Sequence, residues 1–266
     1  MTSSFAARAA LSGLALFACD DARPPLPPLE PASSAAVVLP QGPSVHTYVV
    51  ERSSRASVVM VAPRETFRGT ATLASGRISL DVAKLSASRA EVKVDLATLA
   101  SESFREPSKN AMQSEHARAW LEVPRVDLSV AADSGLAANR FADFRVRALP
   151  KVSAENLADV RAETSKGESV RVVQMTAKGE LAIHGGRVER DILLEVIAHY
   201  ASQASVDPPT WLEVRTLEPM RLVLAEHEIK PRDASGKLAK AASHLLGTRV
   251  ADEAEINLEL RARRQP

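Results

Sequence analysis

The chain has little of the chemistry on which nucleic-acid-binding and disulfide-stabilised proteins depend. Cys19 is its one cysteine, which excludes an internal disulfide bond. Aromatic residues make up 4% of the sequence, too few for the stacking platforms that bind single strands. The 34 basic and 33 acidic residues are spread without blocks, and the net charge is +1, so there is no electrostatic footprint for a phosphate backbone. Nucleic acid is therefore not expected as a partner.

Catalytic motifs are also missing from the sequence. There is no glycine-rich phosphate loop, no G-x-S-x-G turn and no S-x-x-K pair. Arg232-Asp233 is more typical of a structural ion pair at a turn than of a catalytic pair. The histidines occur singly, without zinc-type spacing; they are His46, His116, His184, His199, His227 and His244. We therefore predict that the protein is not an enzyme and has no catalytic residues, no metal site and no cofactor.

What the sequence does contain is the alternation of apolar and polar residues that is typical of half-buried β-strands. The clearest runs are Ile78–Val82, Val92–Leu96, Val126–Val130 and Ile256–Leu260. Turn formers fall between them, for example Ser75-Gly76, Asp133-Ser134-Gly135 and Asp207-Pro208-Pro209. Many short strands without long intervening helices predict an all-β barrel or sandwich, and no second domain boundary is visible.

One hairpin carries the strongest pattern. Before the turn, one parity is apolar: Val173, Met175, Ala177, Gly179, Leu181 and Ile183. After the turn the inward series continues with Ile192, Leu194, Val196 and Ala198. Gly185-Gly186 is predicted to supply the positive φ of a tight turn. Ala177 and Gly179 are small, so this half-wetted sheet is predicted to leave an apolar space on its inner side.

The predicted hairpin also carries two of the histidines. His184 and His199 are predicted on facing strands; a shared surface is one alternative, and solvated strand or turn residues are the commoner one.

Two helices are predicted, over Ser108–Trp120 and Ser235–Leu246. The first places Met112, Glu115-His116 and Ala119-Trp120 on one side, and each helix either plugs the barrel end or acts as a lid.

The N-terminus predicts export. The apolar run Ala9–Ala18 is too short to span a bilayer and fits a signal-peptide core. Leu16-Phe17-Ala18-Cys19 resembles a bacterial lipobox, in which the cysteine is lipidated. We therefore predict a lipoprotein-type signal peptide over residues 1–19, a proline-rich linker over 20–44 and one barrel domain over 45–266. The alternative is an ordinary cleaved signal, which gives a soluble periplasmic or secreted protein.

Several motifs, in order, resemble the YceI-like family. The hairpin Gly179–Gly185 is similar to the "G-x-L-x-(I/L)-H-G" segment of that family. The other matching segments are His46–Val50, Phe67–Thr70, Val92–Leu99 and Arg232–Gly236. The likeness runs from about His46 to Arg263. Asn110–Pro124 keeps the family's helix and proline but lacks its phenylalanine pair, and Asn139–Val170 is longer than usual.

The resemblance implies a periplasmic protein that holds a polyisoprenoid inside an antiparallel, elongated, lipocalin-like β-barrel. The predicted function is non-enzymatic binding or transport of a long apolar lipid in the bacterial cell envelope, by a barrel tethered to a periplasm-facing membrane through Cys19. The alternatives are a structural or interaction lipoprotein with a solid-packed barrel, and an envelope hydrolase; a homodimer is left open. The predicted ligand-binding residues are Phe67, Val94, Met175, Ala177, Gly179, Leu181, Ile183, Ile192, Leu194 and Val196.

Overall fold

Strands account for most of the part of the chain that the computed structural model describes, which is residues 40–61, 66–123, 139–165, 167–201, 208–230 and 252–266. The strands are β1 (Val45–Val50), β2 (Arg55–Val61), β3 (Thr66–Asp81), β4 (Arg89–Asp95), β5 (Ala100–Ser101), β6 (Phe141–Val152), β7 (Glu163–Ser165), β8 (Glu168–Ile183), β9 (Gly186–Tyr200), β10 (Trp211–Thr216), β11 (Met220–Val223) and β12 (Glu253–Arg264). These residues contain one α-helix, α1 (Pro107–Trp120).

The strands close into a ring. The hydrogen-bonded order is β1-β12-β10-β9-β8-β6-β4-β3-β2, and the additional pairs β12–β2 and β1–β3 join its two ends. Both β1 and β2 run antiparallel to β3 and to β12, so they are two parts of one interrupted strand. Every pairing in the ring is antiparallel. The predicted fold class, an all-β antiparallel lipocalin-like barrel, is confirmed.

The alternation in β8 explains why this strand forms the wall of the barrel. Met175, Ala177 and Leu181 are buried, whereas Gln174, just before Met175, is exposed, and Lys178 is half-buried. Because successive side chains of a strand point to opposite faces, the apolar parity turns inward and the polar parity faces water. β9 continues the same face with Ile192, Val196 and Ala198, as predicted.

The turn of this hairpin differs from the prediction by one residue. Ile183 pairs with Gly186, so the two turn residues are His184 and Gly185, with φ of 51° and 79°. This is the two-residue turn in which both central residues have positive φ. Gly186 is needed for a different reason: a Cβ there would lie 2.9 Å from the Cα of His227.

The helix is confirmed in position but not in its buried side. Met112 is 57% exposed and Glu115 is exposed, whereas Ser114 and Ala117 are buried. Hydrogen bonds to β5 hold the helix in place. In one of them the Ser101 N–H donates to the Ser114 hydroxyl, with 2.7 Å between the nitrogen and the oxygen. Small inward residues therefore let α1 pack closely, while Met112 remains outside and Trp120 is half-buried against the core.

Some predicted features lie outside the described residues. These are Cys19, the linker up to residue 39, the strand Val126–Val130, Arg232-Asp233 and the second helix, Ser235–Leu246. Among the residues that are described, no helix has the length and apolar character needed to cross a membrane.

Candidate ligand-binding cavities inside the barrel

An apolar cavity, here called cavity A, occupies one part of the barrel interior. Its volume is about 110 Å³, and among its described lining residues the polar side-chain groups are the Ser57 hydroxyl and the indole N–H of Trp120. Ala117, Trp120 and Leu121, at the end of α1, cover one side of it, and Met220 in β11 lines another. The alternating strands supply apolar side chains from the rest of the wall, and none of the described lining residues is charged.

A second cavity, cavity B, lies further along the same interior. Its volume is about 70 Å³, and it is lined by β-strand residues such as Met175, Leu194 and Leu212. Ser88 and Arg89 are the polar residues on its lining. The Nη1 of Arg89 donates to the carbonyl oxygens of Ala87 and Ser88, at 3.0 and 2.7 Å, so this guanidinium group is held by the main chain of the preceding turn.

Most of the predicted ligand-binding residues lie on one of these cavities. Those on cavity A are Phe67, Val94, Leu181 and Ile183, and those on cavity B are Met175, Ile192, Leu194 and Val196. Ala177 and Gly179 are buried but lie on neither lining. Neither residue therefore borders cavity A or cavity B, and their place among the ligand-binding residues stays a prediction.

The space at Gly179 is filled by an aromatic ring. A Cβ built on Gly179 would lie 2.5 Å from the Cζ of Phe144 and 2.6 Å from the carbonyl oxygen of Arg145. Because glycine has no side chain, the Phe144 ring lies directly against β8. Phe144 belongs to β6, a strand absent from the runs predicted above, although Ala142, Phe144 and Val146 alternate with charged residues there.

Three side chains are common to both cavities: Val92, Phe144 and Leu258. Val92 and Phe144 are direct cross-strand neighbours on β4 and β6. Leu258 comes from β12, which lies four positions away from β6 around the ring. We call these three residues the partition, because they line both cavities and come from opposite walls of the ring. All three are buried.

A polar cluster lies beside cavity A, formed by Glu122, His184 and His227. The His184 ring makes two 3.0 Å contacts, from Nδ1 to the carbonyl oxygen of His227 and from Nε2 to the carboxylate of Glu122. Glu122 follows Leu121 and His184 follows Ile183, and both preceding residues line the cavity. Glu122 and His184 also have positive φ, as does Glu228. Three strained turns thus converge at this end of the barrel.

His227 is fully buried in this polar cluster, and neither ring nitrogen has a hydrogen-bond partner of acceptable geometry. Burial lowers the pKa of His227, because the charged imidazolium is poorly solvated there. The positive charge of Arg190 acts in the same direction. Glu226 and the main chain of Ile183 and Gly186 oppose the shift. The neutral ring is therefore the form that fits the folded protein.

His184 is a turn residue, as one alternative predicts, but the side chains of His184 and His199 are not solvated and do not share a surface. His184 is in the turn, whereas His199 pairs with Val170 near the far end of the hairpin, on the order of 45 Å away along the strand. His199 is buried, contacts the carboxylate of Glu168 at 2.8 Å, and stacks on Trp211 with ring centroids 3.4 Å apart. Each histidine thus has its own structural environment.

The outer surface carries a larger polar depression, of about 530 Å³, over β2, β12 and β10. Its arginines include Arg55, which pairs with Glu259 at 2.7 Å, and Arg215, which pairs with Glu195. Within the described ranges, no three histidine, cysteine or acidic residues are grouped so as to hold a metal ion. The apolar interior is therefore the stronger candidate site.

Known proteins resemble the chain in fold but not closely in sequence. No protein-family model matches it, and no curated protein matches it in sequence. The fold is similar to that of a polyisoprenoid binding domain from Saccharophagus degradans implicated in plant cell wall breakdown, with a TM-score of 0.47 and 13% identity, covering 83% of this chain and 99% of that one. It is also similar to BcnA of Burkholderia cenocepacia, with a TM-score of 0.46 and 13% identity, covering 80% of this chain and 98% of that one. Both likenesses concern the fold alone.

Proposed function

We propose that this protein is a non-enzymatic binding protein for an apolar molecule, which it holds inside the barrel. The observation that carries the proposal is cavity A, an interior space of about 110 Å³ with an almost wholly apolar lining. A barrel with a purely structural role has no need of such a space, because empty apolar volume destabilises a core.

The size of the cavities limits what they hold without rearrangement. An engineered apolar cavity of about 150 Å³ in another protein binds benzene. Cavity A therefore accommodates a short apolar segment, and a long lipid requires side chains along the barrel to move. Each buried methylene group contributes roughly 0.8 kcal/mol, so affinity depends on how much of the chain is enclosed.

The class of ligand and the location are part of the same proposal. The motifs that resemble the YceI-like family support a polyisoprenoid or other long-chain lipid as the ligand. The Leu16–Cys19 segment supports a tether to a periplasm-facing membrane in the bacterial envelope, with residues 20–44 as a spacer. Two lipid signals or more give firm anchoring where a single acyl chain does not.

The test is to fill cavity A and measure binding of farnesol, an isoprenoid alcohol. Ala142 lines the cavity, and replacing it with phenylalanine places a ring in that space. Ala182 lies on the outer parity of the adjacent strand, beside Asp143, so Ala182→Phe makes the same change outside the barrel. Native mass spectrometry and calorimetric titration give the affinity, and thermal unfolding checks that each variant folds.

We expect the wild-type protein and Ala182→Phe to bind farnesol equally, and Ala142→Phe to bind at least about tenfold more weakly. An Ala142→Phe variant that folds and binds as well as the wild type would refute the interior site. If even the wild-type protein binds no farnesol, a structural protein with a solid-packed barrel becomes the better hypothesis.

A further inference from the structure

We propose that Phe144 controls whether an apolar chain in cavity A extends into cavity B, and so sets the chain length that the barrel accepts. This inference rests on the proposed function. With the partition closed, cavities A and B are separate short apolar spaces, so only the segment of the chain in cavity A is enclosed there.

Phe144 is the member of the partition best placed to act in this way. Its ring lies against Gly179 on β8, where the missing Cβ provides a recess in the wall. Val92 is a smaller side chain beside it, and Leu258 approaches from across the barrel. Removing the ring therefore takes away the largest side chain between the two cavities while leaving both walls in place.

Phe67 provides a matched control. Like Phe144, it is 7% exposed, and its ring lies over a glycine, since a Cβ on Gly69 would lie 2.8 Å from the Phe67 Cζ. It differs in lining cavity A alone. Phe67→Ala thus enlarges cavity A without connecting it to cavity B, whereas Phe144→Ala joins the two.

The methionines report which cavity is occupied. Met60 and Met220 line cavity A, Met175 lines cavity B, and Met112 is exposed on α1. Protein labelled with ¹³C at the methionine methyl groups is titrated with prenol, geraniol, farnesol and geranylgeraniol, in which each alcohol has one isoprene unit more than the last. The methyl shifts locate each alcohol, and calorimetry gives its affinity.

In the wild-type protein and in Phe67→Ala, we expect the signals of Met60 and Met220 to move and that of Met175 to stay. In Phe144→Ala, farnesol and geranylgeraniol move the Met175 signal as well. Each additional buried methylene tightens binding about fourfold. The gain in affinity from geraniol to geranylgeraniol should therefore be at least about tenfold larger in Phe144→Ala than in the wild type.

The same experiment distinguishes failure of the role of Phe144 from failure of the proposed binding function. If Met175 already responds in the wild type, or does not respond in Phe144→Ala, or responds in Phe67→Ala, then Phe144 is not the barrier, although the proposed binding function stands. If no methionine signal moves in any protein, the proposed function fails and this inference with it. Phe144→Leu, which removes the ring but keeps an apolar side chain, replaces Phe144→Ala if the alanine variant does not fold.

Discussion

His227 shows how one residue links the barrel's stability to pH. Its ring is fully buried beside Gly186, which has no Cβ to collide with it. Burial is the main cause that lowers its pKa below the ordinary value of about 6.5. The unfolded chain therefore takes up a proton at this histidine at a higher pH than the folded protein does, and the stability that the neutral ring provides is lost as the pH falls.

We predict that replacing His227 with leucine reduces the loss of stability on acidification. In the wild type, the free energy of unfolding should fall as the pH drops from about 7.5 through 6.5. The contribution of His227 to this fall should end below the pKa that this histidine has in the folded protein. Urea unfolding at several pH values measures it. Arg190 and Glu226 act on the ring by their charges, and His184 and Glu122 belong to the same polar cluster. All four stay in both proteins, so the difference between the two curves reports His227. An unchanged pH dependence would contradict the assignment.

The β8–β9 hairpin is the element whose turn depends most on glycine, for two separate reasons. Gly185 has φ of 79°, a conformation that is costly for residues with a side chain, and no atom crowds its missing Cβ. Gly186 has ordinary backbone angles but lies against the Cα of His227 and the carbonyl oxygen of Glu226. One glycine is required by conformation and the other by close packing.

These two requirements predict different responses to substitution. Gly185→Ala should lower the free energy of unfolding by about 1 kcal/mol, and Gly185→Asn by less, because asparagine adopts positive φ more readily. Gly186→Ala should cost about 1–3 kcal/mol because main-chain atoms at His227 must move. Denaturant unfolding measures each value. Equal costs for Gly185→Ala and Gly185→Asn, or none for Gly186→Ala, would contradict the roles given to these two glycines.

At the scale of the whole molecule, the proposed lipid anchor at Cys19 would determine the location of the barrel in the cell envelope. If Cys19 is lipidated, the protein should partition into the detergent phase and carry acyl chains at a mature N-terminus. We predict that Cys19→Ala leaves the protein unprocessed or moves it to the soluble fraction, while its barrel still binds farnesol as the wild type does. Membrane fractionation and mass spectrometry of the N-terminus measure this. Unaltered membrane association of the variant would contradict the anchor.

The fold was predictable because alternation is a local signal. Each strand shows its inner face in a few residues, as Met175, Ala177 and Leu181 do in β8, and glycine near residue 185 marks the turn. Helix α1 was placed within one residue of its start. Its buried side was not predicted, because Met112 is more apolar than Ser114, yet packing against β5 favours the smaller residue.

The interior depended on contacts between distant parts of the chain. The neighbouring strand determines whether the space at a glycine stays open or is filled by a ring. At Gly179 the ring is that of Phe144, which is far away in sequence. Likewise, Leu258 lines the same cavities as Val92 and Phe144 only because the ring closes through β12 and β2. Period-two patterning states which side chains point inward, but the volume that they leave is set by how the opposite walls meet.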